Sequence, residues 1–290
     1  MITMVEAKNV VKFVWTHPAN KGRRAQAVGR AVRFQARSRL LHRRTLAQLG
    51  ERSHLWAGLH RPGASRVVYG NPPDHPEMLV WRQLLMPGDV FVDVGANVGS
   101  YTIWAGELGA EVIALEPAAD TFELLLENIA INDYQVRAIR ATAGSVCGMT
   151  RFTVGQDCVN RLDPRGSAGV PTVQVEMVTI DSIIGDRFVR GMKVDVEGFE
   201  IEVLRGCKRA LSEHRIGLIQ LEWNPTCEDA LGTDRQPTAD LLAEFGYELC
   251  RPDYNGVLHA IDEIGYGPDV FACARTADTA GRRAGSLGLG

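Results

Sequence analysis

Two short stretches of this 290-residue chain gather acids, amides and glycines at spacings that can do chemistry. The first is Asp93-Val94-Gly95-Ala96-Asn97-Val98-Gly99, which closes an apolar run beginning at Val90. A carboxyl at a strand end, followed by a turn punctuated by Gly95, Asn97 and Gly99, brings backbone N–H groups to a ligand at the start of the next helix. Glu116 ends a second apolar run. An acid at that remove from the turn can accept both hydrogen bonds of a ribose diol.

The residue types narrow the ligand. A dinucleotide turn places glycines so that the backbone can approach a pyrophosphate. Here Asn97 stands where a glycine is expected, and the Asp93 carboxylate would repel a pyrophosphate. The same carboxylate suits a ligand with a sulfonium and an ammonium and no phosphate, which is S-adenosylmethionine. The plainer alternative is a tight turn with Asp93 capping the helix; Glu116 on the next strand weighs against it.

The second stretch is Lys193-Val194-Asp195-Val196-Glu197-Gly198-Phe199-Glu200. Three carboxylates in six residues at a strand end are costly unless they meet cations, donors or a metal. Asp195 is expected to face the cofactor cleft. Glu200 reads as a helix N-terminal acid favoured by the macrodipole. Glu222, in Gln220-Leu221-Glu222-Trp223-Asn224, falls on the same edge, with a functional and a structural reading both open. Asp195 and Glu222 are the candidate general bases, and His259 is a weaker one. A divalent cation on Asp195 and Glu222 is compatible with hard-cation chemistry, but nothing in the sequence requires it and no metal site is assigned. The segments Cys158–Leu162 and Trp223–Pro225 are expected to select the acceptor.

The elements that must position these residues alternate. Val90–Val94, a helix with an apolar stripe at Tyr101, Trp104, Ala105 and Leu108, and a strand ending at Glu116 form a βαβ unit. Asp120 and Glu123 have capping-box spacing before a stripe of Phe122, Leu125, Leu126 and Ile129. Strands are expected at Val136–Ala143, Met192–Val196 and Ile216–Trp223, with a strand pair at 149–154 and 172–178 between them. Tyr247–Arg251 and Val270–Arg275 read as a closing edge hairpin. The pattern predicts an α/β fold, with a doubly wound, mostly parallel, seven-stranded Rossmann-like sheet. The expected organisation is a basic helical extension over 1–66, the catalytic domain over 67–275 and a disordered tail over 276–290.

Composition sets the class. With 45% hydrophobic residues the chain can bury a sizeable core. No apolar run is long enough to span a membrane, and the N-terminus makes a poor signal peptide. Six scattered cysteines without a C-x-x-C pair read as reduced thiols of a cytoplasmic protein. Residues 1–66 carry 14 of the 32 Lys and Arg but 2 of the 35 Asp and Glu, so a basic arm precedes an acidic globule. Over Lys21–Gly50 the arm looks helical. It could meet an anionic membrane peripherally at its inner face, meet nucleic acid, or pair its arginines with the acidic core. The Asn71-Pro72-Pro73-Asp74 segment lacks the aromatic that a base-flipping amino-methylase clamp needs. A nucleic-acid methyltransferase and a catalytically silent cofactor- or glycan-binding module are therefore the alternatives, not the leading reading.

These residues together resemble the FkbM-type methyltransferase family. The resemblance rests on FVDVGANVGSYT (91–102), IALEP (113–117), FELLLENIAIN (122–132), VTIDSII (178–184), MKVDVEGFEIEVLRG (192–206) and IQLEWN (219–224). It implies the class I methyltransferase sheet, S-adenosylmethionine as cofactor, and transfer of a methyl group to a hydroxyl of a sugar, glycolipid or macrolide. It also implies cofactor contacts at Asp93, Gly95, Asn97, Gly99, Glu116 and Asp195, with Thr142 on the adenine side. The basic arm lies outside it.

Overall fold

The computed structural model describes residues 4–59, 62–153, 162, 170–262 and 264–274. The chain opens with helices α1 (Met4–Thr16) and α2 (Arg24–Leu41), a hairpin of β1 (Thr45–Leu49) and β2 (Ser53–Ala57), and helices α3 (Pro62–Tyr69) and α4 (His75–Leu84). The expected helix over Lys21–Gly50 is therefore cut short. His42 adopts a left-handed conformation after α2, and Gly50 turns β1 into β2 at φ +67°. Helix α3 runs across the boundary expected at residue 66.

The βα units follow as β3 (Val90–Val94), α5 (Ser100–Glu107), β4 (Glu111–Leu115), α6 (Ala119–Ala130) and β5 (Val136–Ile139). A small sheet then joins β6 (Thr142–Ala143), β7 (Gly148–Thr153) and β8 (Thr172–Val178). The run Val136–Ala143 is thus two strands, because β6 leaves the main sheet to pair with β8. The remaining elements are α7 (Ile180–Ile184), β9 (Val189–Val194), α8 (Glu200–Arg205), α9 (Lys208–Ser212), β10 (Ile216–Leu221), α10 (Thr226–Leu231), α11 (Gln236–Glu244), β11 (Tyr247–Pro252), β12 (Leu258–Ala260) and β13 (Val270–Ala274).

The main sheet has the order β12-β11-β13-β10-β9-β3-β4-β5, so it holds eight strands where seven were expected. The extra one is β12, a short strand on the outer edge of β11. The last strand corrects a second expectation. β13 does not form the edge but inserts antiparallel between β10 and β11. Its Val270–Cys273 run is buried, as a strand covered on both faces requires. Strands β3, β4, β9 and β10 are parallel and apolar for the same reason.

Two local expectations on α6 fail. Asp120 makes no side-chain cap; Glu116 Oε1 instead accepts from the Ala118 N–H at 2.8 Å. Leu126 faces solvent, while Leu125 carries the packing. The five described cysteines are free thiols, buried except for Cys147. Cys158, Arg275 and the tail from 276 lie outside the described residues.

The N-terminal elements share one hydrophobic cluster with the sheet: Val14, Phe34, Leu49 and Leu55 pack in the same body as Trp81, Phe91 and Tyr101. Side chains of the βα unit bind the hairpin directly. Glu107 accepts from the amides of Glu51, Arg52 and Ser53 at 2.8–3.0 Å, and from Ser53 Oγ at 2.6 Å. Asn128 and Asn132 accept from the amides of Trp56 and His54 along the outer edge of β2. No helix of the described residues is long and apolar enough to cross a membrane.

Candidate active site

Strand register lines up the candidate residues. Val94 pairs with Leu115 on one side and Val194 on the other, and Val194 pairs with Leu221. The next residue on each strand is therefore Gly95, Glu116, Asp195 or Glu222, a single row along the carboxyl edge. The parallel strands β3 and β9 are where the strand order reverses, with β4 and β5 added on one side and β10 on the other, which opens the crevice where ligands of open α/β sheets bind.

A cleft of about 370 Å³ lies over this row. Its walls include Gly95, Asn97, Glu116, Thr142, Asp195 and Glu222, so six of the sequence-derived candidates meet there. Two do not. Asp93 lies beneath the floor, fully buried, with Oδ2 accepting from Thr102 Oγ1 at 2.6 Å and Oδ1 unpartnered. Burial raises its pKa, opposed by the nearby Lys193. Gly99 starts α5 at φ +96°, and a Cβ there would meet Leu125 Cδ1 at 2.7 Å, so it serves helix packing. His259 sits exposed on β12, 3.5 Å from Asp253, and borders neither this cleft nor the cavity beside it.

Glu116 is buried, and each of its oxygens accepts one amide: Oε2 from Asn97 at 3.0 Å and Oε1 from Ala118. Each oxygen keeps a lone pair toward the cleft. Burial pushes this carboxyl up to about 7, against those two amide bonds; Asp93 and Asp195 push the same way as burial. Ala141, Ala143, Phe152 and Leu162 give the far end apolar walls suited to a flat base. An acid for a diol, a turn with a buried carboxyl beneath it and an apolar slot fit S-adenosylmethionine.

A second cavity of about 340 Å³ shares Arg66, Asp195 and Glu222 with the first. Its other walls come from segments far apart in the chain: His17 after α1, Pro73–Glu77 at the start of α4, and Pro268-Asp269 before β13. Lys193 projects there too. Its Nζ donates to Asp195 Oδ2 at 2.8 Å and lies 4.7 Å from the Tyr101 ring centre. Burial opposes the lysine's charge, but Asp195, Asp93 and Asp269 hold its pKa up. The Lys193-Val194-Asp195 motif places the lysine and one partner acid two residues apart, whereas Asp93 and Asp269 reach it from distant segments.

Glu222 is the most perturbed acid of the row. Burial first, then Asp195, Glu197 and Glu200, push it up to about 9, and its Oε2 is buried without a partner. Burial likewise raises Asp269 to about 6 and Glu77 to about 7. Gln220 braces this wall, donating to Asp269 at 2.7 Å and Tyr101 at 3.0 Å while accepting from Trp81 at 2.5 Å. Carboxylate oxygens of Asp195, Glu197 and Glu222 lie within 4.8 Å of one another. Glu200 is structural as expected: it accepts from the Gly198 amide at 3.1 Å and forms a buried ion pair with Arg235. Of the expected acceptor loops, Leu162 borders the cofactor cleft, residues 158–161 lie outside the described residues, and Trp223–Pro225 border neither cavity. Asn71 is a brace, exchanging two hydrogen bonds with Gly50.

Residues 93–249 match the model of the methyltransferase FkbM domain. The chain belongs to that family. It is 31% identical over 165 residues to the hexuronic acid methyltransferase AglP of Haloferax volcanii, covering 54% of this chain and 62% of that relative. The match thus spans under two thirds of AglP. Similarity to methyltransferase sdnD of Sordaria araneosa is 26% over 225 residues, covering 64% of this chain and 81% of the relative. Among solved structures, a Thermotoga maritima S-adenosylmethionine-dependent O-methyltransferase is 14% identical with a TM-score of 0.40, over 74% of this chain and 68% of that one. The family assignment rests on the sequence match. The FkbM domain is a methyltransferase domain, and the cleft of this chain fits S-adenosylmethionine as methyl donor.

Proposed function

We propose that this chain methylates a hydroxyl of a sugar or glycolipid seated in the second cavity. The observation that carries the reading is the shared wall: Asp195 and Glu222 border both cavities, so an acceptor in one meets a donor in the other at these two carboxyls. S-adenosylmethionine supplies an electrophilic methyl on a sulfonium and leaves as S-adenosylhomocysteine. Glu116 holds the ribose diol, Asn97 and Gly95 shape the turn, and Thr142 borders the adenine end. Alignment is the largest contribution, roughly 7–11 kcal/mol for well-oriented reactants.

Asp195, tied to Lys193, receives the hydroxyl proton, with Lys193 balancing the charge. Glu222 is protonated at neutral pH by its surroundings and orients the acceptor as a donor. A lining of carboxyls and a lysine supplies many hydrogen-bonding groups for a polyhydroxylated ring. Arg66, more than half exposed and shared by both cavities, is placed to meet an acidic sugar. The relative AglP, by name a hexuronic acid methyltransferase, supports that choice.

The test is methyl transfer from labelled S-adenosylmethionine to a panel of neutral, amino and uronic sugars and their glycolipids, with the product read by NMR for a methoxy carbon. A methoxy on a sugar supports the reading. A methyl on nitrogen or carbon, or transfer to nucleic acid alone, sinks it.

A further inference from the structure

Helix α2 has two apolar faces. Ala27, Ala31, Phe34 and Ser38 form the buried one. At 100° per residue, the opposite face carries Ala25, Gly29, Val32, Ala36 and Leu40. All five are exposed, Val32 by 58% and Leu40 by 78%. An ordinary surface helix puts charged or polar residues there. This one has none.

The apolar surface continues onto α1. Val10, Val11 and Val14 meet Val28, Val32 and Ala36 around a groove of about 280 Å³. Val11 is 47% exposed, and Trp15, one turn further, is 50% exposed beneath the Arg24 guanidinium. Leu41, past Leu40, is exposed as well.

Arginines flank this surface. Arg23, Arg30, Arg33 and Arg37 follow one stripe of α2 and border a cavity of about 390 Å³. Arg30 is engaged with Val68 O and Asn20. Arg23, Arg33 and Arg37 have no acidic partner among the described residues, so the arm's excess charge is not spent on the acidic core. Arg44 with Glu127, and Arg66 with Asp74, are the exceptions.

We propose that the α1–α2 pair docks on an anionic phospholipid bilayer, with Val11, Trp15, Val32 and Leu40 entering the interface and Arg23, Arg33 and Arg37 meeting lipid phosphates. Exposed aliphatics, an interfacial tryptophan and flanking arginines whose stems reach out of the apolar layer are what such a surface requires. Charge selects the occupant: a second copy would bring two strongly basic arms together, whereas anionic lipid neutralises them. The proposal is independent of the acceptor's identity.

The experiment is co-sedimentation of the full chain with extruded phosphatidylcholine vesicles, with and without phosphatidylglycerol, at about 0.1 M and about 0.5 M salt. Binding is expected to the phosphatidylglycerol vesicles at low salt, with loss at high salt. Both Val32→Glu/Leu40→Glu and Arg33→Glu/Arg37→Glu should weaken it about tenfold or more. Circular dichroism and S-adenosylhomocysteine affinity should stay unchanged, since none of these side chains touches the cofactor cleft. Failure to bind, equal binding by the variants, or equal binding to neutral vesicles would overturn the proposal. So would a concentration-dependent dimer that Val32→Glu/Leu40→Glu dissolves.

Discussion

Gly95 and Asp195 lie so close that a Cβ on Gly95 would stand 1.9 Å from the Asp195 carbonyl oxygen. The contact joins the turn after β3 to the end of β9, the two parallel strands at which the strand order reverses. It also explains why a glycine is needed there: the backbone is at φ +79° and nothing larger than hydrogen fits. Gly95→Ala should therefore displace the cofactor turn and the Asp195 segment together. The expected outcome is loss of stability by roughly 2 kcal/mol or more and loss of S-adenosylhomocysteine binding, checked by denaturant unfolding and calorimetry.

Glu116→Ala removes the anchor of two amides and, on the proposed function, an acceptor from the ribose. Hydrogen bonds to charged groups contribute about 1.5–3 kcal/mol, so affinity for S-adenosylhomocysteine should fall about ten- to a hundredfold. Unchanged affinity by calorimetry would remove Glu116 from the cofactor site.

The position of Glu116 near 7 gives cofactor binding a pH dependence. Below that value the carboxyl gains a proton and loses acceptor capacity, so affinity should decline as pH falls from 8 to 6. Glu116→Gln should flatten the profile. A calorimetric titration at each pH measures it.

Stability should respond to Glu222 in the opposite sense from a salt-bridged acid. Its folded value of about 9 exceeds the ordinary 4.5, so the folded state holds the proton that the unfolded chain releases. The unfolded chain binds fewer protons between these values, and stability falls as pH rises from about 5 to about 9. Glu222→Gln should shrink that fall, visible as a smaller drop in melting temperature over the same range.

Asp195→Asn should lower turnover about 10²- to 10⁴-fold, the range of a general base, with S-adenosylhomocysteine affinity reduced far less. Arg66→Ala should raise KM for an acidic acceptor while leaving that affinity intact. Steady-state kinetics with the acceptor found above would check both.

The carboxyl-edge row was legible because buried parallel strands read as continuous apolar runs, and each run ends at a glycine or an acid: Gly95, Glu116, Asp195, Glu222. Local sequence also pointed to the structural role of Glu200. It did not reveal the second cavity. His17, Arg66 and Asp269 converge from three distant segments, and no spacing encodes that meeting. The position of β13 was hidden for a related reason, since an apolar strand next to the C-terminus looks the same inside a sheet or at its edge. Asp93 lies under the floor of the cleft and not in its wall, and a strand-end carboxyl gives no sign of which of the two it will do.

The match to the family model begins at residue 93, but the body that folds together begins earlier. Glu107, Asn128 and Asn132, all inside the region of similarity, spend their hydrogen-bonding capacity on amides of residues 51–56. The asparagines also occupy the outer edge of β2, which an unpaired strand would otherwise offer to another chain. The matched region is thus narrower than the body in which these side chains find their partners. A gene trimmed to the shared region would encode side chains reaching for a hairpin that is no longer there.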